Sequence, residues 1–389
     1  MKKIKQIISG VLASLTISGL VSCGEPRKST QEVEEEKNSY VVELPISDEE
    51  NLLEPNYEKE LKSLINNLDM DAILVRYEFD NLIIADQQQG KIDYDKLNEI
   101  IEAYSKIDSY HKDIIYIPFY LYNIDFSKLN IKNIDLSITL SYPITAENNL
   151  ITAINKAKDV TLYVRYSNEL DEKSNSSILN IIEQVANKNG TLDIQSTETL
   201  SNTAINDILS KIKKDWHFNS IFITTRSDIS AYLPKLNAKY LSLAFIDNVL
   251  SSTYRINEGT KILDIYCYTP NKTLYLEIPS SLIELYLNYN YMNKAIIKGN
   301  KNIELRATSS NYEKLNTYIE LGYFDYDEFS LTAGDYTFKK QSFTDYEIVL
   351  DYNDEKIGTV ELIRDETGNI TDLKIIKKEK KLVRTLTKK

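Results

Sequence analysis

The sequence predicts an α/β fold, in which stacked repeats form a solenoid with one parallel sheet and a small antiparallel β-meander follows near the C-terminus. Three observations lead to this prediction. Apolar pairs recur at short intervals between residues 239 and 306, helix-length segments alternate with short apolar strands before them, and alternating runs separated by turn sequences come after them. Such recurrence is typical of repeat proteins, where each repeat buries its apolar side against its neighbours.

The apolar pairs mark the strands of the most regular repeats. They are Leu241 and Leu243, Leu263 and Ile265, Leu285 and Leu287, and Ile303 and Leu305. Successive pairs are 22, 22 and 18 residues apart. Because side chains alternate between the two faces of a strand, both members of a pair are expected to point into one core. Cys267 has the parity of Leu263 and Ile265, so we expect its thiol to be buried as a small apolar group.

One repeat shows a longer pattern. It reads Leu282-x-x-Leu285-x-Leu287-x-x-Asn290-x-Met292. This pattern resembles the leucine-rich repeat family. The resemblance implies alternate apolar residues that face inward and an asparagine, here Asn290, that satisfies backbone groups in the following bend. A further pair, Leu274 and Leu276, lies midway between two repeats and does not fit the period, and we expect a strand on the opposite face there.

Helices and strands are expected to alternate before the regular repeats. We predict helices over 55–68, 94–107 behind an Asp93 cap, 178–185 and 200–212, with one more after a Thr145 cap, and strands over 72–75, 82–85, 114–117, 134–140, 160–164, 192–194 and 221–223. The later, shorter repeats have room only for a turn or a 3₁₀ segment.

This alternation demands parallel strands, because antiparallel pairing would need hairpin turns that we do not find in the repeats. An open curved sheet fits best. The alternative is a closed α/β barrel, which the shrinking repeat disfavours because a barrel needs a crossover helix after every strand.

Four segments divide the chain. Residues 1–22 are expected to be a lipoprotein signal peptide, 23–45 a disordered acidic tether, 46–325 the α/β solenoid with an N-terminal helical cap and a closing helix over 312–321, and 330–389 an antiparallel β module. Within that module, strands are predicted over 347–351, 358–364, 370–376 and 382–386.

The N-terminus predicts export and lipidation. A basic start with Lys2, Lys3 and Lys5 precedes an apolar stretch over 7–21, which is too short to span a membrane. The sequence Leu-Val-Ser-Cys-Gly that ends at Gly24 resembles the lipobox of bacterial lipoproteins. This resemblance implies an acylated Cys23 that anchors the chain in the cell envelope, on the outer membrane surface or a periplasmic face. The alternative is an ordinary secretory signal with an incidental cysteine.

Composition narrows the classes of partner. The formal net charge is −12, so nucleic acid is not expected as a partner, although residues 377–389 are rich in lysine. The simplest explanation of this lysine-rich segment is a solvated edge strand. Two histidines argue against a multi-histidine metal centre, and no cofactor is expected. With Cys23 acylated, Cys267 is left without a partner for an internal disulfide.

No catalytic motif is present among those that we looked for, including a nucleophile elbow, a zinc-protease helix and a phosphate-binding loop. Glu78, Asp80, Asp86 and Asp135 are predicted at strand ends, and a glycoside hydrolase on an α/β barrel could use two of them. Chance explains such carboxylates in a chain with 58 acidic residues. His217 next to Trp216 is expected to pack at a strand junction.

The residues between the inward-pointing ones are expected to form the concave face. They are Thr161, Tyr163, Arg165, Asp193, Gln195, Phe222, Thr224, Tyr240, Ser242, Asp264, Tyr266, Tyr268, Glu284, Tyr286, Asn288, Glu304 and Arg306. The candidate ligand-binding residues among them are Tyr163, Tyr240, Asp264, Tyr266, Tyr268, Glu284, Tyr286 and Asn288.

Tyrosines among acids and amides on a rigid sheet suit protein recognition. The alternative is that strands favour tyrosine and that codon usage supplied it. The leading hypothesis is therefore a lipoprotein that binds a protein or other macromolecule through this face, without catalysis. The alternatives are a structural envelope lipoprotein with no specific ligand and the carboxylate-based hydrolase.

Overall fold

The computed structural model describes residues 56–107, 112–118, 122–140, 143–165, 172–195, 202–246, 252–268, 272–340, 347–350 and 355–377. The predicted signal peptide, Cys23, the tether and the strand predicted over 382–386 lie outside these residues.

Six α-helices and two sheets make up the described part of the chain. The helices are α1 (Tyr57–Asn66), α2 (Tyr94–Lys106), α3 (Glu147–Lys156), α4 (Glu172–Asn187), α5 (Asn202–Lys211) and α6 (Lys314–Glu320). The strands are β1 (Ile73–Glu78), β2 (Asn81–Asp86), β3 (Asp113–Ile117), β4 (Asp135–Thr139), β5 (Asp159–Arg165), β6 (Thr191–Gln195), β7 (His217–Thr225), β8 (Asn237–Phe245), β9 (Thr253–Arg255), β10 (Ile262–Cys267), β11 (Thr273–Glu277), β12 (Glu284–Asn288), β13 (Lys294–Lys298), β14 (Glu304–Ser309), β15 (Glu328–Ala333), β16 (Tyr336–Lys340), β17 (Glu347–Leu350), β18 (Glu355–Arg364) and β19 (Ile370–Lys377).

The large sheet has sixteen strands and is mostly parallel, which confirms the α/β prediction. All of its neighbouring strands from β2 to β15 pair in parallel, and their spatial order follows the chain. The order is linear, with β1 and β19 as its two end strands in the described part of the chain. A closed barrel would join its first and last strands, so the barrel alternative does not fit this sheet.

The first two strands contradict the expectation that hairpins are absent. β1 and β2 pair antiparallel through a two-residue turn between Glu78 and Asn81. Its central residues, Phe79 and Asp80, have φ angles of 51° and 62°, the left-handed conformation that two-residue hairpin turns require. Such turns are usually recognised by glycine, and this one contains none.

The crossovers between strands change in character along the sheet. The crossover from β2 to β3 contains α2, that from β3 to β4 contains only a 3₁₀ segment over Phe126–Lys128, and those from β4 to β7 contain α3, α4 and α5. Apolar residues such as Ile154, Ile181 and Leu209 are fully buried on the last three helices. The crossover from β7 to β8 contains the predicted kind of 3₁₀ turn, over Leu233–Lys235.

The prediction that the later crossovers have room only for a turn or a 3₁₀ segment is wrong. They contain β9, β11 and β13, which pair in parallel as a second, three-stranded sheet. The pair that did not fit the period, Leu274 and Leu276, belongs to β11 and is buried. A strand of three to five residues fits these short crossovers, whereas a helix of the usual length does not.

The apolar pairs stack as predicted. Leu241, Leu263, Leu285 and Leu305 are in register on neighbouring strands, and all four are fully buried. The register corrects the last pair, which is Leu305 with Ala307 rather than Ile303 with Leu305. The small Ala307 takes the place that Leu287 has in the previous repeat, so leucine periodicity alone misplaced it. Cys267 is buried, as its parity predicted.

Helix caps and the C-terminal strands complete the fold. Asp93 caps α2 by accepting a hydrogen bond from the Lys96 amide, as predicted. Thr145 does not cap α3, whose N-cap is Ala146 and has no side-chain hydrogen bond. From β15 to β19 the pairing is antiparallel. These strands continue the large sheet directly from β14, because β15 pairs in parallel with it.

Candidate functional site

One side of the large sheet carries the predicted polar and aromatic residues, and we call its part from β7 to β15 the open face. Three rows of side chains cross it. The first row contains Ser220, Tyr240, Ile262, Glu284, Glu304 and Glu328, the second Phe222, Ser242, Asp264, Tyr286, Arg306 and Ser330, and the third Thr224, Ala244, Tyr266, Asn288, Thr308 and Thr332. Alternation along each strand places them opposite the buried leucines.

Aromatic rings contact one another across neighbouring strands of the open face. The ring centroids of Phe222 and Tyr240 are 5.3 Å apart, and those of Tyr266 and Tyr286 are 5.7 Å apart. All four side chains are partly exposed. Cross-strand aromatic pairs at this distance stabilise both the sheet and the orientation of the rings. The rings are therefore held in place before any ligand binds.

Hydroxyl groups link the rings to polar neighbours. The Tyr240 hydroxyl donates to Oδ2 of Asp264, and the Tyr286 hydroxyl lies 2.9 Å from Oγ1 of Thr308. Burial raises the pKa of the Tyr240 hydroxyl, and its hydrogen bond to Asp264 adds to this effect. Burial also raises the pKa of the Asp264 carboxyl, which the Tyr240 hydrogen bond partly offsets. The Tyr240 hydroxyl therefore stays protonated at neutral pH.

A charged group lies next to the rings. Nε of Arg306 is 2.7 Å from Oε1 of Glu304 and 3.2 Å from Oε1 of Glu284. The hydrogen bond to Glu304 raises the pKa of the Arg306 guanidinium. Burial raises the pKa of the Glu284 carboxyl, which Arg306 opposes and which Glu304 and Asp264 reinforce by repulsion. The carboxylates thus outnumber the guanidinium that neutralises them.

The remaining predicted residues lie at the margins of this face. Tyr268 follows β10 and is exposed, and its ring centroid is 5.9 Å from that of the exposed Tyr291. Sequence reasoning missed Tyr291, since it lies in the bend after β12 rather than on a strand. Oδ1 of Asn288 accepts a hydrogen bond from the Asn290 amide at 3.1 Å, so this side chain shapes the bend.

Tyr163 extends the second row toward the N-terminus. It is in register with Asp193 on β6, which is in register with Phe222 on β7. Asp193 accepts a hydrogen bond from Nε2 of Gln195 at 3.1 Å. Arg165 is the last residue of β5. The structure therefore brings the predicted residues together on one side of one sheet, in consecutive strands.

A row of aspartates forms a second feature, at the amino ends of three parallel strands. Asp113, Asp135 and Asp159 are in register as the first residues of β3, β4 and β5. A cavity of about 310 Å³ is lined by them together with Asn81 and Thr161. Only Asp135 was singled out from the sequence. Each aspartate directly precedes an alternating apolar strand, and that shared position was the signal for the row.

Asp113 is the most perturbed carboxyl of this row. Burial raises its pKa to about 6, repulsion by Asp135 and Asp159 acts in the same direction, and the hydrogen bond from Ser137 opposes them. Oγ of Ser137 donates to Oδ2 of Asp113 at 2.7 Å. Asp135 has a basic partner, because Nζ of Lys158 is 3.2 Å from its Oδ1.

The other strand-end carboxylates do not join this row. Asp86 is fully buried at the opposite end of β2, where the Tyr116 hydroxyl donates to its Oδ2 at 2.5 Å. Glu78 and Asp80 flank the β1–β2 turn and contact Arg76 and the Tyr77 hydroxyl, respectively. Burial and the Asp80 contact raise the pKa of Tyr77 to about 12.

His217 and Trp216 occupy a junction. Nε1 of Trp216 donates to Oε1 of Glu183 at 3.2 Å, and Nδ1 of His217 lies 2.7 Å from Nδ2 of Asn237. Among the residues that the structure describes, no group of His, Cys, Asp or Glu side chains is arranged to hold a metal ion. The same residues include no helix of the length and apolarity that a membrane span requires.

Comparison with known proteins adds no relative. No family model, no curated protein and no solved structure matches this chain.

Proposed function

We propose that this chain is a bacterial lipoprotein, anchored in the cell envelope through an acylated Cys23, whose leucine-rich-repeat-like domain binds a protein or other macromolecular partner through the open face, without catalysis. The observation that carries the proposal is the ordered set of aromatic and polar side chains on this face. Rigid aromatic groups are the side chains that most often dominate binding at protein interfaces.

Stacking contacts support the repeat assignment. The leucines at the same position of successive repeats are in register, and side-chain hydrogen bonds join one repeat to the next. Oδ1 of Asn290 accepts from the Ser310 amide at 2.9 Å, and Nδ2 of Asn257 donates to the Pro234 carbonyl at 2.7 Å. An asparagine that satisfies backbone groups is what the resemblance to leucine-rich repeats implies.

The anchor has its own test. We expect Cys23→Ala to move the chain from the membrane fraction to the soluble fraction of fractionated cells, because the acyl chains supply the membrane affinity. Ser22→Ala is the matched control, since alanine is also a small residue before the cysteine, and it should leave the chain in membranes. Retention of the Cys23→Ala variant in membranes would show that the lipobox assignment is wrong.

The binding face is tested by removing its rings. We expect replacement of Tyr266, Tyr268 and Tyr286 together by alanine to abolish a crosslinked adduct that intact cells give with the wild-type chain. The control replaces the exposed Tyr275, which lies on β11 of the second sheet. Both variants should still unfold cooperatively. An undiminished adduct in the triple variant would remove this face as the binding site, and no adduct with the wild-type chain would favour a structural role.

One observation favours a second candidate, a carboxylate-based hydrolase. The cavity at the aspartate row places a carboxyl with a pKa of about 6, that of Asp113, beside the in-register Asp135. A general acid with a raised pKa next to a second carboxyl group is the arrangement that glycoside hydrolysis needs. Glycan hydrolysis by the wild-type chain that is lost in Asp113→Asn would support it, and a screen without turnover would remove it.

A further inference from the structure

The open face has an excess of negative charge that its own residues do not balance. In its three rows the acidic side chains are Asp264, Glu284, Glu304 and Glu328, and the basic one is Arg306. One more basic residue, Lys339 of β16, lies at the edge of the face in register with Ser330. Glu284, Glu304 and Glu328 are in register on neighbouring parallel strands, about 4.8 Å apart. Like charges at adjacent positions of a sheet destabilise it. The folded state therefore tolerates electrostatic repulsion among these three glutamates.

Arg306 relieves only part of this repulsion. Its guanidinium contacts both Glu284 and Glu304, so the two carboxylates share a single positive charge. The pKa of Glu284 is raised even so. A further cation at this face would lower the electrostatic free energy of the carboxylates, which is a direct reason for a cationic group to bind there.

The rings next to the carboxylates suit the same kind of group. Tyr266 and Tyr286 are partly exposed, and each lies two residues along its own strand from an acidic residue, Asp264 and Glu284 respectively. Tyr286 is also in register with Asp264 on the neighbouring strand. Ammonium and guanidinium groups are attracted to the faces of aromatic rings, and their apolar stems pack against such rings. Acid and ring together thus recognise a lysine or arginine side chain better than either does alone.

We infer that the partner of the open face is a protein segment rich in lysine or arginine, bound with its cationic side chains between the tyrosines and the glutamate row. This inference rests on the proposed function, since it assigns the partner class of the same face. The occupant follows from charge complementarity, which also sets the rate at which such a segment is captured.

The test uses the purified full-length chain and defined peptides. The probe is a fluorescent peptide of about twelve residues that alternates lysine with serine, long enough to cross the strands of the face at about 3.3 Å per residue. The matched peptide has glutamate in place of lysine. We expect the lysine peptide to bind and the glutamate peptide not to bind, and we expect the affinity to fall by roughly tenfold or more when salt shortens the screening length to about 3 Å.

Three variants locate the binding. Glu284→Gln with Glu304→Gln should lower the affinity for the lysine peptide roughly tenfold. The control pair Glu99→Gln and Glu366→Gln changes exposed residues and carries the same change in net charge, and it should leave the affinity unchanged. Arg306→Gln should tighten binding, because it removes the cation that competes for the carboxylates. Weaker binding in Arg306→Gln, equal effects of the two glutamate pairs, or binding of the glutamate peptide would each overturn the inference.

Two further outcomes separate this inference from the proposed function. If the Tyr266, Tyr268 and Tyr286 variant loses its adduct in cells while the lysine peptide does not bind, the face binds a partner of different chemistry and only the inference fails. The chain's own lysine-rich segment after Lys377 is the competing occupant. If a chain that ends at Lys377 binds the lysine peptide severalfold more tightly, that segment occupies the face in the full-length chain. A separate basic partner is then excluded as the resting occupant of the face.

Discussion

Both halves of the large sheet contain parallel strands, but the segments that connect successive strands differ between the two halves. From β4 to β7 the chain returns through α-helices, and from β8 to β14 it returns through the strands of the second sheet. Leucine and isoleucine are common among the buried strand residues of both halves. The difference teaches that repeat length, rather than the strand sequence, selects the crossover, because a short repeat cannot accommodate a helix.

The polar side of the large sheet also differs between the two halves. In the amino half, Ser137 and Thr139 on this side are buried and Asp113 lies in a cavity. In the carboxyl half, Tyr240, Tyr266 and Tyr286 are partly exposed and touch one another or their neighbours. One sheet therefore carries a small acidic cavity in one half and a broad aromatic surface in the other, and the proposed recognition of a macromolecule concerns the latter.

The largest expected effect concerns Asp113 in the acidic cavity. The pKa of Asp113 is about 6 in the folded chain against 3.8 for the ordinary carboxyl, so the folded state binds the proton more tightly. Its contribution to stability is present below pH 4 and is lost as pH rises through 6, by about 3 kcal/mol. In Asp113→Asn this loss disappears. Urea unfolding at pH 4 and pH 8 should show that the variant gains about 3 kcal/mol relative to wild type across this window.

Glu99→Gln is the control for the same window, because it removes an exposed carboxylate of α2 and leaves the aspartate row intact. This variant should keep the pH dependence of the wild-type chain. If Asp113→Asn and wild type showed parallel pH dependence, the carboxyl would have an ordinary pKa and the two halves would not differ in this respect.

A smaller effect is expected at the edge of the second sheet. The Tyr323 hydroxyl donates to the Ala295 carbonyl on β13 at 2.6 Å, and the Tyr289 hydroxyl accepts from the Ala295 amide at 2.6 Å. The two hydroxyls are 2.6 Å apart and fully buried. They satisfy the backbone groups that an edge strand would otherwise expose. Tyr323→Phe leaves a buried carbonyl unsatisfied, which costs about 1–3 kcal/mol of unfolding free energy.

The measurement is denaturant unfolding, combined with amide hydrogen exchange over β13. Exchange should accelerate there before it does in β4 or β5, since the helical half does not depend on this contact. Tyr275→Phe, at an exposed position of the same sheet, should change stability by no more than about 0.5 kcal/mol. Equal stability of Tyr323→Phe and wild type would mean that the second sheet does not need its tyrosine edge.

Sequence reasoning reached most of the strands and the core, because burial imposes alternation on a strand and Leu241, Leu263 and Leu285 repeat it. It failed where no apolar pattern exists. The turn at Phe79 and Asp80 lacks glycine, β13 contains a single fully buried apolar residue in Ala295, and Ala307 replaces a leucine. These elements are specified by their neighbours in space.

The candidate site was predictable to the same extent. Parity alone placed Tyr240, Asp264 and Tyr286 on one face. It did not reveal which of these residues touch, because the contacts run diagonally across strands, as from Tyr240 to Asp264. The register of the aspartate row and the presence of Tyr291 at the margin depend on loop lengths and bends, which a local sequence pattern does not encode.

Site-specific photocrosslinking tests the assignment of recognition to the open face most directly. A photoreactive phenylalanine derivative replaces Tyr266 on the open face or Tyr275 on the second sheet, in otherwise identical chains in living cells. The account predicts a covalent adduct with one partner protein from position 266 and none from position 275. An adduct from position 275 alone, or equal adducts from both positions, would contradict it.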